Sequence, residues 1–346
     1  MDRPVMHGRG GNRPESKDGE ADMKIDVHAH LYPAAYLDLL DSFGGTGVGT
    51  AIARGLHAGD TSEDIDRRLA MMDKAGVDVQ ILSVSPQDPY FQNPDQSLDA
   101  ARLANNILAE VVKRGRHRFA AFASLPLPHI DAAIAEMDRC FHELEMIGVT
   151  VSTTILGRPL ADSWFDGLFS ELDRRGAVVF IHPGGVGLAS SLVTNSRLDG
   201  PLGSPFEDTI CALQLIRAGV PERFPGIKFI SSHLGGCLPF LSKRIDVQAP
   251  VFMTSAAIPS VEAKHLWFDT VNAHPAALRC ACEIFGADRF LLGTDTPYWQ
   301  GDLYQLAVDY ISQADLSAQD VERIYSENAM ALFGAKLSQT SAVSAR

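Results

Sequence analysis

The chain repeats one pattern, a short apolar run followed by a helical stretch, eight times between residues 23 and 335. The first run lies in Met23–Pro33 and ends in two histidines. The others are Val77–Val84, Arg118–Ser124, Gly148–Thr153, Ala177–His182, Ile227–His233, Lys264–Thr270 and Arg289–Asp295. Helical periodicity fills the intervals. From Ser62 onward, Ile65, Leu69 and Met72 share one stripe and Gly76 supplies the stop. Val77–Val84 is apolar on both faces, as a parallel-sheet strand is. Eight such units predict an α/β fold, a (β/α)8 TIM barrel. An open doubly wound sheet would need a Gly-x-Gly-x-x-Gly turn after the first strand, and none is there.

Residues 23–335 are expected to form this barrel, with a glycine-rich loop insertion, Leu31–Asp60, after the first strand. Residues 1–22 lack the apolar core of a secretory signal and read as a disordered extension; residues 336–346 read as a flexible tail. The net charge of −13 disfavours nucleic acid and anionic membranes as partners. No apolar run is long enough to span a bilayer. The five cysteines form no Cys-x-x-Cys pair, which suits reduced thiols and a cytoplasmic location.

His28 and His30 stand two apart on the first strand, so they share a face about 7 Å apart along it. On the same reasoning Ile25 and Val27 face the other way, toward packing helices. Barrel active sites lie at the C-terminal strand ends. Three further metal-competent or titratable residues fall there: His182, His233 and Asp295. Each alone has an ordinary explanation, as a turn or capping residue. Four separate strands ending in such side chains argue for a site. The other seven histidines, His7, His57, His117, His129, His142, His265 and His274, fall away from that end. Cys237, four residues past His233, reads as a packing thiol rather than a soft metal ligand.

Six phrases place the chain beside a known family. They are Ile-Asp-Val-His-Ala-His (25–30), Met-Asp-Lys-Ala-Gly-Val-Asp (72–78), Phe-Ile-His-Pro (180–183), Ser-His-Leu-Gly-Gly (232–236), Leu-Gly-Thr-Asp-Thr-Pro (292–297) and Glu-Asn-Ala-Met-Ala-Leu-Phe-Gly (327–334). In combination they resemble the amidohydrolase superfamily. The resemblance is to its decarboxylase branch, which holds the aminocarboxymuconate-semialdehyde, γ-resorcylate and 6-methylsalicylate decarboxylases.

The resemblance implies metal ligation by His28, His30, His182 and Asp295, with one Zn²⁺ or Mn²⁺ per chain. It implies a catalytic, non-ligand role for His233. Binuclear relatives bridge two ions with a carboxylated lysine at the end of the fourth strand, and here that strand has none. The implied reaction is non-oxidative decarboxylation of a small aromatic or muconate-like acid, with Asp295 as proton donor and His233 assisting. Arg244, eleven residues after His233, matches a carboxylate-binding arginine that reaches a neighbouring subunit's site, which implies a homodimer or larger homo-oligomer. Arg54, in the insertion, is a second candidate for holding substrate. The alternative reading is a mononuclear metal-dependent hydrolase of a lactone or amide.

Overall fold

The computed structural model describes residues 23–45, 49–115, 117–184, 191–252 and 258–342. The expected extension at 1–22 and the last four tail residues lie outside these. Eight strands run in sequence order around one sheet: β1 Ile25–His30, β2 Val79–Ser83, β3 Phe119–Ser124, β4 Gly148–Ser152, β5 Val178–His182, β6 Lys228–Ser231, β7 Trp267–Asp269 and β8 Phe290–Leu291. Every neighbouring pair is parallel. The ends of the sheet meet: Val27 N–H donates to Leu292 O at 2.8 Å, Asp295 N–H to His28 O at 2.8 Å and His30 N–H to Thr296 O at 2.7 Å. This is the expected (β/α)8 barrel.

Two apolar layers hold it. Outward-facing strand residues such as Leu82, Val151, Val179 and Phe268 pack beneath the surrounding helices. Inside, Val79, Ile81, Phe122, Phe180 and Ile230 form a separate core. Phe333 and Leu337 of the closing helix Asn328–Ala342 seal it. That helix runs past residue 335 and into the expected tail.

The first strand departs from simple alternation. Asp26 pairs with Gln80 but Ala29 pairs with Leu82, so β1 carries one residue more than β2 between those points. Such a bulge shifts the facing of everything beyond it. Ile25 and Val27 therefore belong to the inner core, and Ala29 to the outer layer. The expectation that Ile25 and Val27 pack against helices is corrected on this ground. His28 and His30 still project inward together. Asp26 faces outward, where it accepts hydrogen bonds from the Gln80 amide at 2.8 Å and Thr294 N–H at 3.0 Å.

The insertion after β1 is not wholly irregular. It contains helices Ala34–Ser42 and Ala51–Gly55, and Tyr36, Leu37 and Leu40 of the first are buried.

Candidate metal centre and catalytic histidine

His28, His30, His182 and Asp295 each offer one ligand atom at the C-terminal mouth, all within 4.8 Å of one another. All four residues are buried. Their outer contacts fix which ring atoms face inward. His28 Nδ1–H donates to Asp269 Oδ2 at 2.6 Å, His30 Nδ1–H to Ser83 Oγ at 2.9 Å, and His182 Nδ1–H to Pro183 O at 2.9 Å. Each pairing turns an Nε2 lone pair into the centre, the arrangement by which proteins hold metal-ligating imidazoles. His28 Nε2 and His30 Nε2 stand 3.0 Å apart, and Asp295 Oδ1 is 3.3 Å from the first and 3.2 Å from the second. His182 Nε2 is buried with no hydrogen-bond partner.

A cation suits this set. Burial opposes a charge on His28, but Asp269 and Asp295 outweigh it and raise its pKa to about 9. Burial drives His30 down to about 4 and holds His182 well below the usual imidazole range. A proton shared by His28 and His30 satisfies that pair and still leaves His182 Nε2 orphaned. One ion at the centre would engage all three rings and the carboxylate.

His233 stands beside the cluster. Its Nδ1–H donates to Asp208 Oδ2 at 2.9 Å, and its Nε2 faces Asp295 Oδ2 at 3.7 Å. Burial works against its charge, yet Asp208 raises its pKa well above the imidazole norm. Asp295 shows the converse: burial raises its pKa, but His28 and hydrogen bonds from His233, His28 and His30 hold it well below the carboxylate range. Both residues sit on left-handed backbone, with φ of 52° at His233 and 59° at Asp295. The following Gly235–Gly236 turn depends on its second glycine, where a Cβ would fall 1.8 Å from Pro205 O.

Three site residues escaped the sequence reading. Asp269 ends β7 as His182 ends β5, so the strand-end rule could have found it. Asp208 lies within the helix Ser204–Arg217 and Ser83 ends a strand of ordinary polarity; neither carries such a signal. The two arginines lie elsewhere. Arg54 is exposed and its guanidinium is held by Asp38 at 2.8 Å and Asp41 at 2.7 Å. Arg244 is exposed on the helix Leu238–Phe252. Cys237 is half-buried, its N–H bonded to Thr209 Oγ1.

Fold and site together define a (β/α)8 barrel able to hold one metal ion at its mouth, beside a histidine backed by a carboxylate. More narrowly, the chain belongs to the amidohydrolase family, whose sequence profile matches residues 25–335. A 6-methylsalicylic acid decarboxylase from Penicillium expansum is 30% identical over 322 residues, covering 90% of this chain and 96% of its own. A 2-amino-3-carboxymuconate-6-semialdehyde decarboxylase from Dictyostelium discoideum is 28% identical over 303 residues, covering 81% and 83%. Among solved structures, a 2,6-dihydroxybenzoate decarboxylase complexed with 2,6-dihydroxybenzoate superposes with a TM-score of 0.77 at 25% identity, covering 90% of this chain and 99% of its own.

Proposed function

We propose that the protein is a metal-dependent, non-oxidative decarboxylase of a small aromatic or muconate-like carboxylic acid. It holds one Zn²⁺ or Mn²⁺ on His28, His30, His182 and Asp295. The observation that carries this is the convergence of three imidazole Nε2 atoms and one carboxylate, with His233 poised 3.7 Å from that carboxylate. Relatives named as decarboxylases along nearly the whole barrel support the reaction class. When bound, the ion supplies Lewis-acid binding of substrate oxygens.

The chain's own residues handle the proton. Loss of CO₂ from an aromatic ring requires a proton at the carbon it leaves. Asp208 fixes the His233 ring so that Nε2 presents a proton to Asp295 Oδ2, and Asp295 delivers it to the substrate carbon. Tyr32 stacks on His30 with rings nearly parallel at 6.1 Å, and Tyr298 meets His30 edge-on at 5.9 Å, giving the mouth an aromatic wall.

Arg244 serves a partner's site rather than its own in this reading. Phe240, Arg244, Val247 and Val251 form one exposed stripe at helical spacing, with Phe240 84% exposed. Exposed Val261 lies on the neighbouring short helix Pro259–Glu262, and exposed Ile258 just before it. Ile210, Leu198 and Leu202 are exposed apolar side chains as well. No helix among the described residues is long and apolar enough to cross a membrane.

The test is incubation of metal-loaded protein with salicylate-, resorcylate- and muconate-type acids carrying labelled carboxyl carbon. Release of labelled CO₂ is expected. Hydrolysis of lactones or amides, with no CO₂ from any acid, would replace this reading with the hydrolase one.

A further inference from the structure

Outside the barrel wall, a cavity of about 350 Å³ lies where the helix Ser62–Ala75, the helix Asp302–Asp309 and the residues before each of them meet. Its volume falls within the range of small-molecule sites. Ala58, Ala70, Met71 and Pro297 give it an apolar body, and Arg67, Arg68 and Lys74 line it as well.

Arg68 is the informative residue. It is only 6% exposed, yet it has no ion-pair partner among the described residues. Its guanidinium donates to two neutral oxygens, Gln80 Oε1 at 3.0 Å and His30 O at 2.5 Å. The Asp26 carboxylate is reached only through the Gln80 amide. Buried cations are ordinarily paired, so a charge left this way beside a cavity marks a place for an anion. Of the other two cations, Lys74 is open to exchange. Lys74 pairs at 3.3 Å with Asp302, which is fully exposed, whereas Arg67 is held more firmly, by Asp64 at 3.1 Å and the His57 carbonyl at 3.1 Å. A solvent-screened pair such as Lys74–Asp302 holds weakly. Asp64, bonded to Thr61 and Arg67, is the acidic residue of the lining, and its charge is taken up by Arg67.

We propose that this cavity is a second ligand site, taking a small monocarboxylate whose anionic group meets Arg68 and Lys74 and whose apolar body lies on Met71, Ala70 and Pro297. Arg68 also holds the backbone of His30, and Thr296–Pro297 follow Asp295 directly. An occupant therefore touches two segments that carry the candidate metal centre.

The experiment uses benzoate as the probe. Metal-loaded crystals soaked in 4-bromobenzoate are expected to show bromine anomalous signal between the two helices. In solution, calorimetric titration with benzoate is expected to lose one site per chain in Lys74→Glu and in Met71→Trp, which fills the cavity. Any site at the barrel mouth should remain. Bromine at the mouth alone, or an unchanged site count in both variants, overturns the proposal. Bromine in the cavity with no matching site in solution is binding at crystal concentration only, and overturns it too. A protein that binds no acid at the mouth still loses its cavity site in the variants, so this result stands apart from that of the decarboxylase assay.

Discussion

Replacing Asp269 with asparagine changes one oxygen to nitrogen and should turn a metal ligand away. Asp269 accepts three hydrogen bonds: His28 Nδ1–H at 2.6 Å on Oδ2, and the His233 and Val271 N–H groups at 2.9 and 3.0 Å on Oδ1. An amide has one accepting oxygen. The two main-chain donors are fixed by the chain, so they retain it, and the new NH₂ faces His28 Nδ1. His28 must then accept there and carry its proton on Nε2, toward His30 Nε2 and Asp295 Oδ1. One of four ligands is thereby blocked without any change in volume. Loss of an outer partner of this kind weakens metal binding by about 10–100-fold, or about 1.4–2.8 kcal/mol. Competition against a chromogenic chelator measures the metal Kd, and thermal unfolding of the metal-free protein checks that the fold is intact. An unchanged Kd in Asp269→Asn would refute the argument that outer hydrogen bonds set the tautomer of His28.

His233→Asn should keep the metal and lose activity by about 10²–10⁴-fold; loss of the metal instead would make His233 a ligand. Phe240→Glu should dissociate an oligomer in sedimentation experiments, and Arg244→Ala should raise KM for the acid more than it lowers kcat; a monomeric wild type would undo both. Gly293→Ala brings a Cβ within 2.8 Å of Asp269 Cβ and 3.0 Å of His28 Cβ, so it should cost about 1–3 kcal/mol in denaturant unfolding and weaken metal binding. Burial raises Asp88 from 3.8 to about 6, against hydrogen bonds from Ser152 and Ser85. With the folded value above the unfolded one, this group stabilises the fold fully below pH 3.8 and loses that contribution as pH rises through about 6. The loss is about 3 kcal/mol. Asp88→Asn should make the fall in urea midpoint between pH 4 and 7 shallower, and an unchanged slope would count against it.

The alternation of apolar runs with helical stretches was enough to read the barrel, because each parallel strand is buried on both faces and stands out from its flanks. The limits of that reading are instructive at the site. Arg289–Asp295 looks like a strand throughout, but the ladder holds only Phe290–Leu291. Ile227–His233 likewise pairs only over Lys228–Ser231. In both cases the candidate site residue lies past the ladder on left-handed backbone, a conformation that an apolar pattern does not signal. The insertion hid its helix for another reason. Its glycines dominate the segment, while the stripe of Tyr36, Leu37 and Leu40 spans little more than a turn. Asp208 is legible only in three dimensions, since its own helix gives no reason to single it out.

The extra residue in β1 has a consequence for anyone who would transplant this centre into another barrel. The lower half of the strand must feed an oily interior and the upper half the candidate metal centre, and regular alternation from Asp26 to His30 would put all three polar side chains on one side. Copied onto an unbulged strand, His28 and His30 would bring a carboxylate down among Phe122 and Phe180, while Ile25 and Val27 turned outward. The histidine pair is therefore not a portable motif by itself. The unit to graft is the pair together with its phase slip and the Gln80–Thr294 seam that holds Asp26 outside.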